Sequence, residues 1–437
     1  MKTLSSIIGL LLLASFTGCD LSYNKDTSPD ERTNLTRPND GPANSDPQPL
    51  PEIPEPSADQ SEAFSREAMI AQAGQTSLAT IDGLHQEMGF LVGAIEALCL
   101  RNDTVTEQAA QEQWLEVMDY WQFLSAFQMG PALAQQELLR VQIYGGVGSV
   151  NPCGIDREVV KLESQANYKL SEQASVTTLG SLEYLLFSTD HLNSCRSRPP
   201  LDQWDNRPLS ERRAARCRYA SLVAKKVEGF TGTLREAWLP GQYIDRFVKE
   251  DLTAEEQQAL IQEIVTSLFY VDYVKNVKVR VPARYGKYQD NYCGGRPCPR
   301  NVEHYWSQTS KRSVLANLYG LRTLLTGQMP ESYEIELEDG YGLTDYLDAL
   351  GKDPLAQRLI DVIDETIQSL EDQEKSFYEM AKESDIQSCR DTTRIERLEP
   401  FCALYKDFKM IYENLSGEFI EVMKVKLPTN RSSGDGD

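Results

Sequence analysis

Histidine is scarce in this chain. The 437 residues include only His85, His191 and His304, and no two of them have the spacing of paired metal ligands on a helix. The HExxH motif of zinc peptidases is absent, as are GxSxG, SxxK with its partner motifs, the P-loop and the dinucleotide-binding glycine motif. A zinc peptidase or a histidine-rich iron enzyme would therefore be hard to assemble from these side chains.

Positive charge is also in short supply. Lysine and arginine number 44 against 66 aspartate and glutamate residues, which gives a formal net charge of -22. A surface of this sign repels both nucleic acid and anionic lipid headgroups. We therefore expect no nucleic-acid partner and no purely electrostatic attachment to a membrane, whereas cationic or metal ligands are compatible with this charge.

A long apolar run is missing too. The most apolar stretch, Leu4 to Phe16, is too short to cross a bilayer as a permanent helix and is typical of a cleaved export signal. The Thr17-Gly18-Cys19 sequence that follows resembles the lipobox of bacterial lipoproteins, in which the cysteine is lipidated. We expect residues 1–18 to be a signal peptide and Cys19 to anchor the protein to a membrane, an ordinary secretory signal being the alternative.

Apart from Cys19, the chain has eight cysteines, an even number that predicts disulfides in an exported protein. They are Cys99, Cys153, Cys195, Cys217, Cys293, Cys298, Cys389 and Cys402. Their spacing fits no zinc site. Pairing neighbours along the chain gives 293–298, 389–402, 195–217 and 99–153 as the simplest expectation, although the sequence leaves many connectivities open.

Strand patterns are scarce and helix signals are frequent. Capping boxes begin at Ser57, Thr104 and Thr253, each before an amphipathic run. In the segment after Pro354, apolar residues recur every three or four positions. The sequence predicts an all-α fold.

Composition divides the chain into five segments. Residues 19–61 are rich in proline, aspartate and serine and predict a disordered tether, and residues 428–437 predict a disordered tail. Between them we expect two helical-bundle domains, 62–245 and 246–427. Two long irregular stretches, roughly 188–207 and 281–308, contain cysteines and predict loops that disulfides hold in place.

One acidic residue falls on an apolar helix face. In residues 178–187, TLGSLEYLLF, helical geometry puts Glu183 on the same face as Leu179 and Leu186. Burying an unpaired carboxylate costs several kcal/mol. Glu183 is therefore either a paired structural acid or an acidic anchor for a ligand.

Several phrases of the sequence recur together in a known family. They are a Trp-rich helix ending in FQMGP at 127–131, RVQIY at 140–144, Asp156-Arg157, LEYLLF at 182–187 and LANLYGL at 315–321. With the lipoprotein signal, they resemble the imelysin-like proteins, exported bacterial proteins once classed as metallopeptidases. The resemblance covers about residues 62–425. It implies two helical bundles, a site in a cleft near a GxHxxE motif, and a link to iron acquisition.

The motif is only partly present. Its glutamate corresponds to Glu183, but Gly180 stands at the histidine position and Thr178 at the leading glycine position. The resemblance therefore implies a periplasmic, non-catalytic binding protein for iron, another divalent metal or a metal chelate. Glu183 is the candidate metal ligand, and no other cofactor is expected. Further candidates for lining the cleft, chosen by motif position, are Tyr184, Trp121, Gln128, Ser313 and Asn317.

Two other functions stay open at this point. The first is a metal-dependent peptidase, which would need metal ligands besides Glu183. The second is a protein–protein scaffold that partners an outer-membrane receptor or transport protein. For each of these functions, the expected location is the periplasm of a Gram-negative bacterium, with a lipid anchor in the inner or the outer membrane.

Overall fold

The protein is described here from a computed structural model. The structure describes residues 54, 64–189, 191–195, 201–283, 297–333, 335, 337–384 and 400–427. The predicted signal peptide, Cys19, the tail 428–437 and, apart from Pro54, the tether to residue 61 lie outside these residues. So does the capping box predicted at Ser57. Among the described residues, no helix is both long enough and apolar enough to span a membrane.

The prediction of an all-α fold is confirmed, since no strand occurs in the described ranges. The α-helices are α1 Arg66–Arg101, α2 Thr104–Ser125, α3 Ala134–Tyr144, α4 Pro152–Ser164, α5 Leu179–Phe187, α6 Leu209–Trp238, α7 Asp245–Val248, α8 Ala254–Leu268, α9 Tyr270–Tyr273, α10 Val281–Ala283, α11 Ser310–Thr326, α12 Leu343–Ala349, α13 Asp353–Glu371, α14 Phe377–Glu383, α15 Pro400–Asn414 and α16 Ile420–Met423. Two π-helical segments, Val274–Arg280 and Leu415–Phe419, continue α9 and α15. Short 3₁₀ turns lie at Gly130–Ala132, Ala174–Val176, Leu201–Gln203 and Pro299–Asn301.

Local capping explains where the helices begin. The capping box at Thr253 forms as predicted, because Thr253 and Glu256 exchange side-chain-to-backbone hydrogen bonds at the start of α8. Helix α2 begins at Thr104, but its cap is Asp103, whose carboxylate accepts the Thr106 N–H at 2.8 Å. The prediction of Thr104 as the cap is wrong by one residue.

The core is built around α1 and α2. Helix α1 packs along both α2 and α6, and α2 also packs against α11, which contacts α13. The aromatic side of α2 is fully buried, with Trp114 and Trp121 at most 2% exposed. The described residues all belong to one compact unit. The division into two domains near residue 245 stays a prediction.

The disulfides differ from the pairing expected from neighbouring positions. Cys99 bonds to Cys217, joining α1 to α6, and Cys153 bonds to Cys195, joining α4 to the loop after α5. The expected pairs 99–153 and 195–217 are therefore wrong. Helix packing brings together residues 118 positions apart, which distance along the chain cannot indicate.

Two further cysteines are also in disulfides, Cys298 and Cys402. Their predicted partners, Cys293 and Cys389, lie outside the described residues. The loop after α5 is held in place by Cys195, as its composition predicted.

Candidate functional site

A cleft of about 620 Å³ opens beside helix α5. Its lining comes from three parts of the chain: the segment 144–152, α5 with Ser194 from the loop that follows it, and the segment 300–306. Helix α5 lies between the other two, because Gly180 is next to Val150 while Glu183 bonds to the segment after residue 303. Residues 300–306, which precede α11, therefore supply one wall of the cleft.

Helix α5 is short and held at both faces. Its first turn is closed by Ser181, whose side chain accepts the Thr178 N–H at 3.2 Å. The indole N–H of Trp114 donates to the Leu179 carbonyl at 2.9 Å, and Leu179 and Leu182 are completely buried. This anchoring fixes the position of the polar groups that follow in the same helix.

The burial of Glu183 is confirmed, since the residue is 1% exposed. Its Oε1 accepts hydrogen bonds from the N–H groups of Trp306 and Ser307, both at 3.0 Å, and from the Ser307 hydroxyl at 3.1 Å. Its Oε2 lies 3.3 Å from Nδ1 of His304. Glu183 is therefore a paired acid that fastens α5 to residues 304–307, although it also lines the cleft.

His304 stands between two acids. It is fully buried, and its Nε2 lies 3.9 Å from Oε2 of Glu303. Oε1 of Glu303 accepts hydrogen bonds from the Tyr144 hydroxyl at 2.9 Å and from Gln122 at 3.0 Å. Tyr144 in turn belongs to the opposite wall, so Glu303 ties the two walls together.

The negative charge of Glu303 is balanced by the buried ammonium group of Lys278. Burial by itself would raise the pKa of Glu303, but the ammonium group of Lys278, 3.0 Å from Oε2, and the nearby His304 hold this pKa below its usual value. Burial lowers the pKa of Lys278, and Glu303 opposes that shift. Lys278 also donates to Gln122 and Asn317, each at 2.7 Å. The acid in the cleft is thus ionised and already paired.

A second buried network holds the next residue of α5. The Tyr184 hydroxyl donates to Asp156 at 2.9 Å and accepts from the Arg216 guanidinium at 2.8 Å. Arg216 also pairs with Asp156 at 2.7 Å, and Ser194 donates its N–H to the same carboxylate. Burial raises the pKa of Tyr184 above its usual value. Because its hydroxyl is occupied, Tyr184 presents only its ring to the cleft.

The structure places the predicted site residues in different environments. Glu183 and Tyr184 line the cleft. Trp121 instead lines a neighbouring cavity of about 20 Å³, and Asn317 lies in the network around Lys278. Gln128 and Ser313 are buried, and neither is among the residues that line the cleft.

The donor set does not fit a bare metal ion. Within the described ranges, no group of three or more histidine, cysteine, aspartate or glutamate side chains could hold one. Both oxygens of Glu183, the predicted metal ligand, already have partners. At Gly180, where the motif has histidine, an added Cβ would lie 2.8 Å from Cγ2 of Val150.

The sequence reasoning missed Glu303, His304, Lys278 and Gln122. One signal was available: a rare histidine follows a glutamate and precedes Tyr305-Trp306 in an irregular stretch. The distances that matter, from His304 to Glu183 and from Glu303 to Tyr144, span more than 120 residues of sequence.

Comparison with known proteins supports the same fold. The sequence model of the family Peptidase_M75, imelysin, matches residues 77–398, well over half of the chain. No curated protein matches. A structure from Parabacteroides distasonis, described as an iron-regulated protein A precursor, is similar with a TM-score of 0.60 and 17% identity, covering 86% of this chain and 97% of that one. An imelysin-like protein from Psychrobacter arcticum has a TM-score of 0.56 and 14% identity, covering 84% and 98%.

Proposed function

Because this chain belongs to the imelysin family, we propose that it is a non-catalytic binding protein with an iron-related role. In this proposal the cleft beside Glu183 binds an iron chelate, and the iron is carried as part of that complex. The family match and the likeness to a protein described as iron-regulated support the connection with iron.

The main observation behind the proposal is that the cleft is large enough for a small molecule, while its two carboxylates already have partners within the protein. A volume of about 620 Å³ lies within the range of about 300–1,000 Å³ that is typical of small-molecule sites. Bound ions need several free oxygen or nitrogen donors at once, whereas both oxygens of Glu183 already have protein partners and Glu303 is ion-paired with Lys278. An organic chelator brings its own donors to the iron and needs only a shaped, mainly apolar cleft.

Trp306 provides a direct test. It lines the cleft and is half-buried, whereas the other four tryptophans are at most 2% exposed. We expect ferric chelates to quench the tryptophan fluorescence of the purified protein saturably, and Trp306→Phe to remove most of that quenching. Ferrous ammonium sulfate without a chelator is the matched comparison, and we expect little bound iron by elemental analysis.

The opposite result would overturn the proposal. Stoichiometric iron that the protein retains without a chelator and loses in Glu183→Gln would make the site an ion site. Cleavage of an unfolded protein substrate that EDTA abolishes would support the peptidase alternative.

The location is part of the same proposal. Residues 1–18 would be cleaved, and a lipid on Cys19 would anchor the protein to the inner or the outer membrane, facing the periplasm. An outer-membrane transport protein is the proposed partner. Metabolic labelling with palmitate tests the anchor: label should enter the wild-type protein and be absent from Cys19→Ser, and equal labelling of both would contradict it.

A further inference from the structure

We infer that the cleft recognises the chelate through an anionic aromatic group, whose charge lies beside Arg300 and whose ring packs against Tyr305 and Trp306. The inference rests on the proposed function and specifies the chemical class of the ligand: a catecholate or an aromatic carboxylate.

The charge of the cleft points to an anion. Glu183 accepts from three donors at one oxygen and lies against His304 at the other. Glu303 is paired with Lys278. The remaining charged residue of the lining, Arg300, is exposed and makes no ion pair or hydrogen bond with another described residue. Arg300 is thus the charge left available to a ligand, and it is positive.

Arginine suits the proposed group. Its planar guanidinium donates two parallel N–H groups, which match the paired oxygens of a carboxylate or a catecholate. A bare ferric or ferrous ion would be repelled by the same side chain. The available charge therefore favours the anionic organic part of a complex over the free metal.

The aromatic side chains that line the cleft favour a ligand with an aromatic ring. Trp306 lies edge-on to Tyr184 with the ring centres 5.2 Å apart, and edge-on to Tyr305 at 5.6 Å. The hydroxyls of Tyr184 and Tyr144 are used inside the protein, so these residues offer ring surface. Aromatic rings prefer edge-to-face or offset contacts with one another. An aromatic ligand can extend this cluster, whereas an aliphatic one of the same charge cannot.

The opposite wall has two glycines between Tyr144 and Val150. Gly146 and Gly148 line it with φ values of +91° and +72°, a backbone conformation that other residues adopt only with strain. A Cβ added to Gly148 would meet no atom within 4 Å. The glycines keep this side of the cleft open for a flat group.

Titration calorimetry with two ferric probes tests the inference. We expect the ferric complex of 2,3-dihydroxybenzoate to bind at least about tenfold more tightly than ferric citrate, which is anionic but aliphatic. Arg300→Gln should weaken the aromatic probe about tenfold or more, because a charge-assisted hydrogen-bond pair is lost. Arg300→Lys should retain part of the affinity, and Trp306→Leu should reduce the preference between the probes.

The control is Arg101→Gln, which removes an exposed arginine at the end of α1, outside the cleft lining, and should leave both affinities unchanged. Ferric citrate binding as tightly as the aromatic probe, with no effect of Arg300→Gln, would overturn this inference and leave the chelate function standing. Failure of both probes to bind, together with retention of free iron, would overturn the proposed function itself.

Discussion

Neighbouring residues of α5, Glu183 and Tyr184, enter two buried networks that are built differently. Behind Tyr184, the carboxylate of Asp156 is paired directly with the guanidinium of Arg216, and both side chains are 1% exposed. Behind Glu183, the partners are mainly backbone N–H groups of residues 306 and 307, together with His304. The attachment of α5 to α4 and α6 therefore depends on a buried ion pair with a permanent cation, whereas its attachment to residues 304–307 depends mainly on the backbone conformation of that segment.

The largest effect is expected from breaking the permanent pair. Arg216→Met leaves Asp156 buried without its cation, and we expect the free energy of unfolding to fall by about 3–5 kcal/mol. Urea denaturation measures it. Arg218→Met on the same helix is the control, since Arg218 is 53% exposed and pairs with Glu163 at the surface. The double variant Arg216→Met with Asp156→Asn should recover part of the loss, and a loss equal to the sum of the single variants would contradict the pairing.

Removing the two disulfides one at a time should distinguish an effect on stability from an effect on ligand binding. Serine replacement of either pair should cost about 2–4 kcal/mol. The loss should be about 1 kcal/mol larger for Cys99–Cys217, which spans 118 residues, than for Cys153–Cys195, which spans 42, because the longer loop restricts the unfolded chain more. Ligand affinity should fall only on removal of Cys153–Cys195, since Ser194 in the cleft wall is next to it. Unchanged affinity after removal of Cys153–Cys195 would show that this wall does not depend on its disulfide, and an equal loss in both variants would show that the effect is not local to the cleft.

A smaller loss of stability is expected when the bonds between Glu183 and residues 304–307 are weakened. Glu183→Gln keeps an oxygen that can accept the Trp306 and Ser307 N–H groups but removes the charge, so we expect a loss of about 2 kcal/mol. Thermal unfolding of Glu183→Gln and of Arg216→Met under the same conditions compares the two losses of stability. A loss larger than that of Arg216→Met would reverse the comparison.

Asp407 tests what burial costs a carboxylate that has no pairing partner among the described residues. It makes no hydrogen bond or ion pair with another described residue. Burial, and secondarily the Glu365 carboxylate, raise its pKa from 3.8 to about 6. A pKa raised in the folded state means that this group favours folding below about pH 4, and that this advantage is lost as the pH rises through 6.

Asp407→Asn should therefore stabilise the protein by about 1–2 kcal/mol at pH 7 and have little effect near pH 3. Denaturant titrations across this pH range measure it, with the exposed Glu421→Gln as control. A destabilisation at pH 7 would mean that the ionised form has a favourable partner.

Local signals in the sequence were sufficient for the helices and for one site residue. Capping boxes and apolar spacing predicted α8 and α13, because both depend on side chains within four residues of each other. The same spacing predicted the burial of Glu183. The cap of α2 was misplaced by one residue because Asp103 and Thr104 are both capable caps and only the helix geometry distinguishes them.

The partners across the fold could not be predicted in this way. His304 lies 121 residues from Glu183, and Cys217 lies 118 residues from Cys99. Trp121 was assigned to the cleft by its motif, but its face of α2 is directed to the neighbouring small cavity. Such pairings depend on how helices pack, and a single sequence records no distance between its distant parts.

The Val150 side chain limits which residues can replace Gly180 in this site. The related motif has histidine at the position of Gly180, but here Cγ2 of Val150 lies only 2.8 Å from where the Cβ of a residue at 180 would be. A lone Gly180→His substitution would overpack the wall, at a typical cost of about 1–3 kcal/mol, whereas a smaller residue at 150 would remove the obstacle. Positions 150 and 180 thus constrain each other's substitutions, because the Val150 side chain must shift or be replaced by a smaller one before residue 180 can carry a side chain.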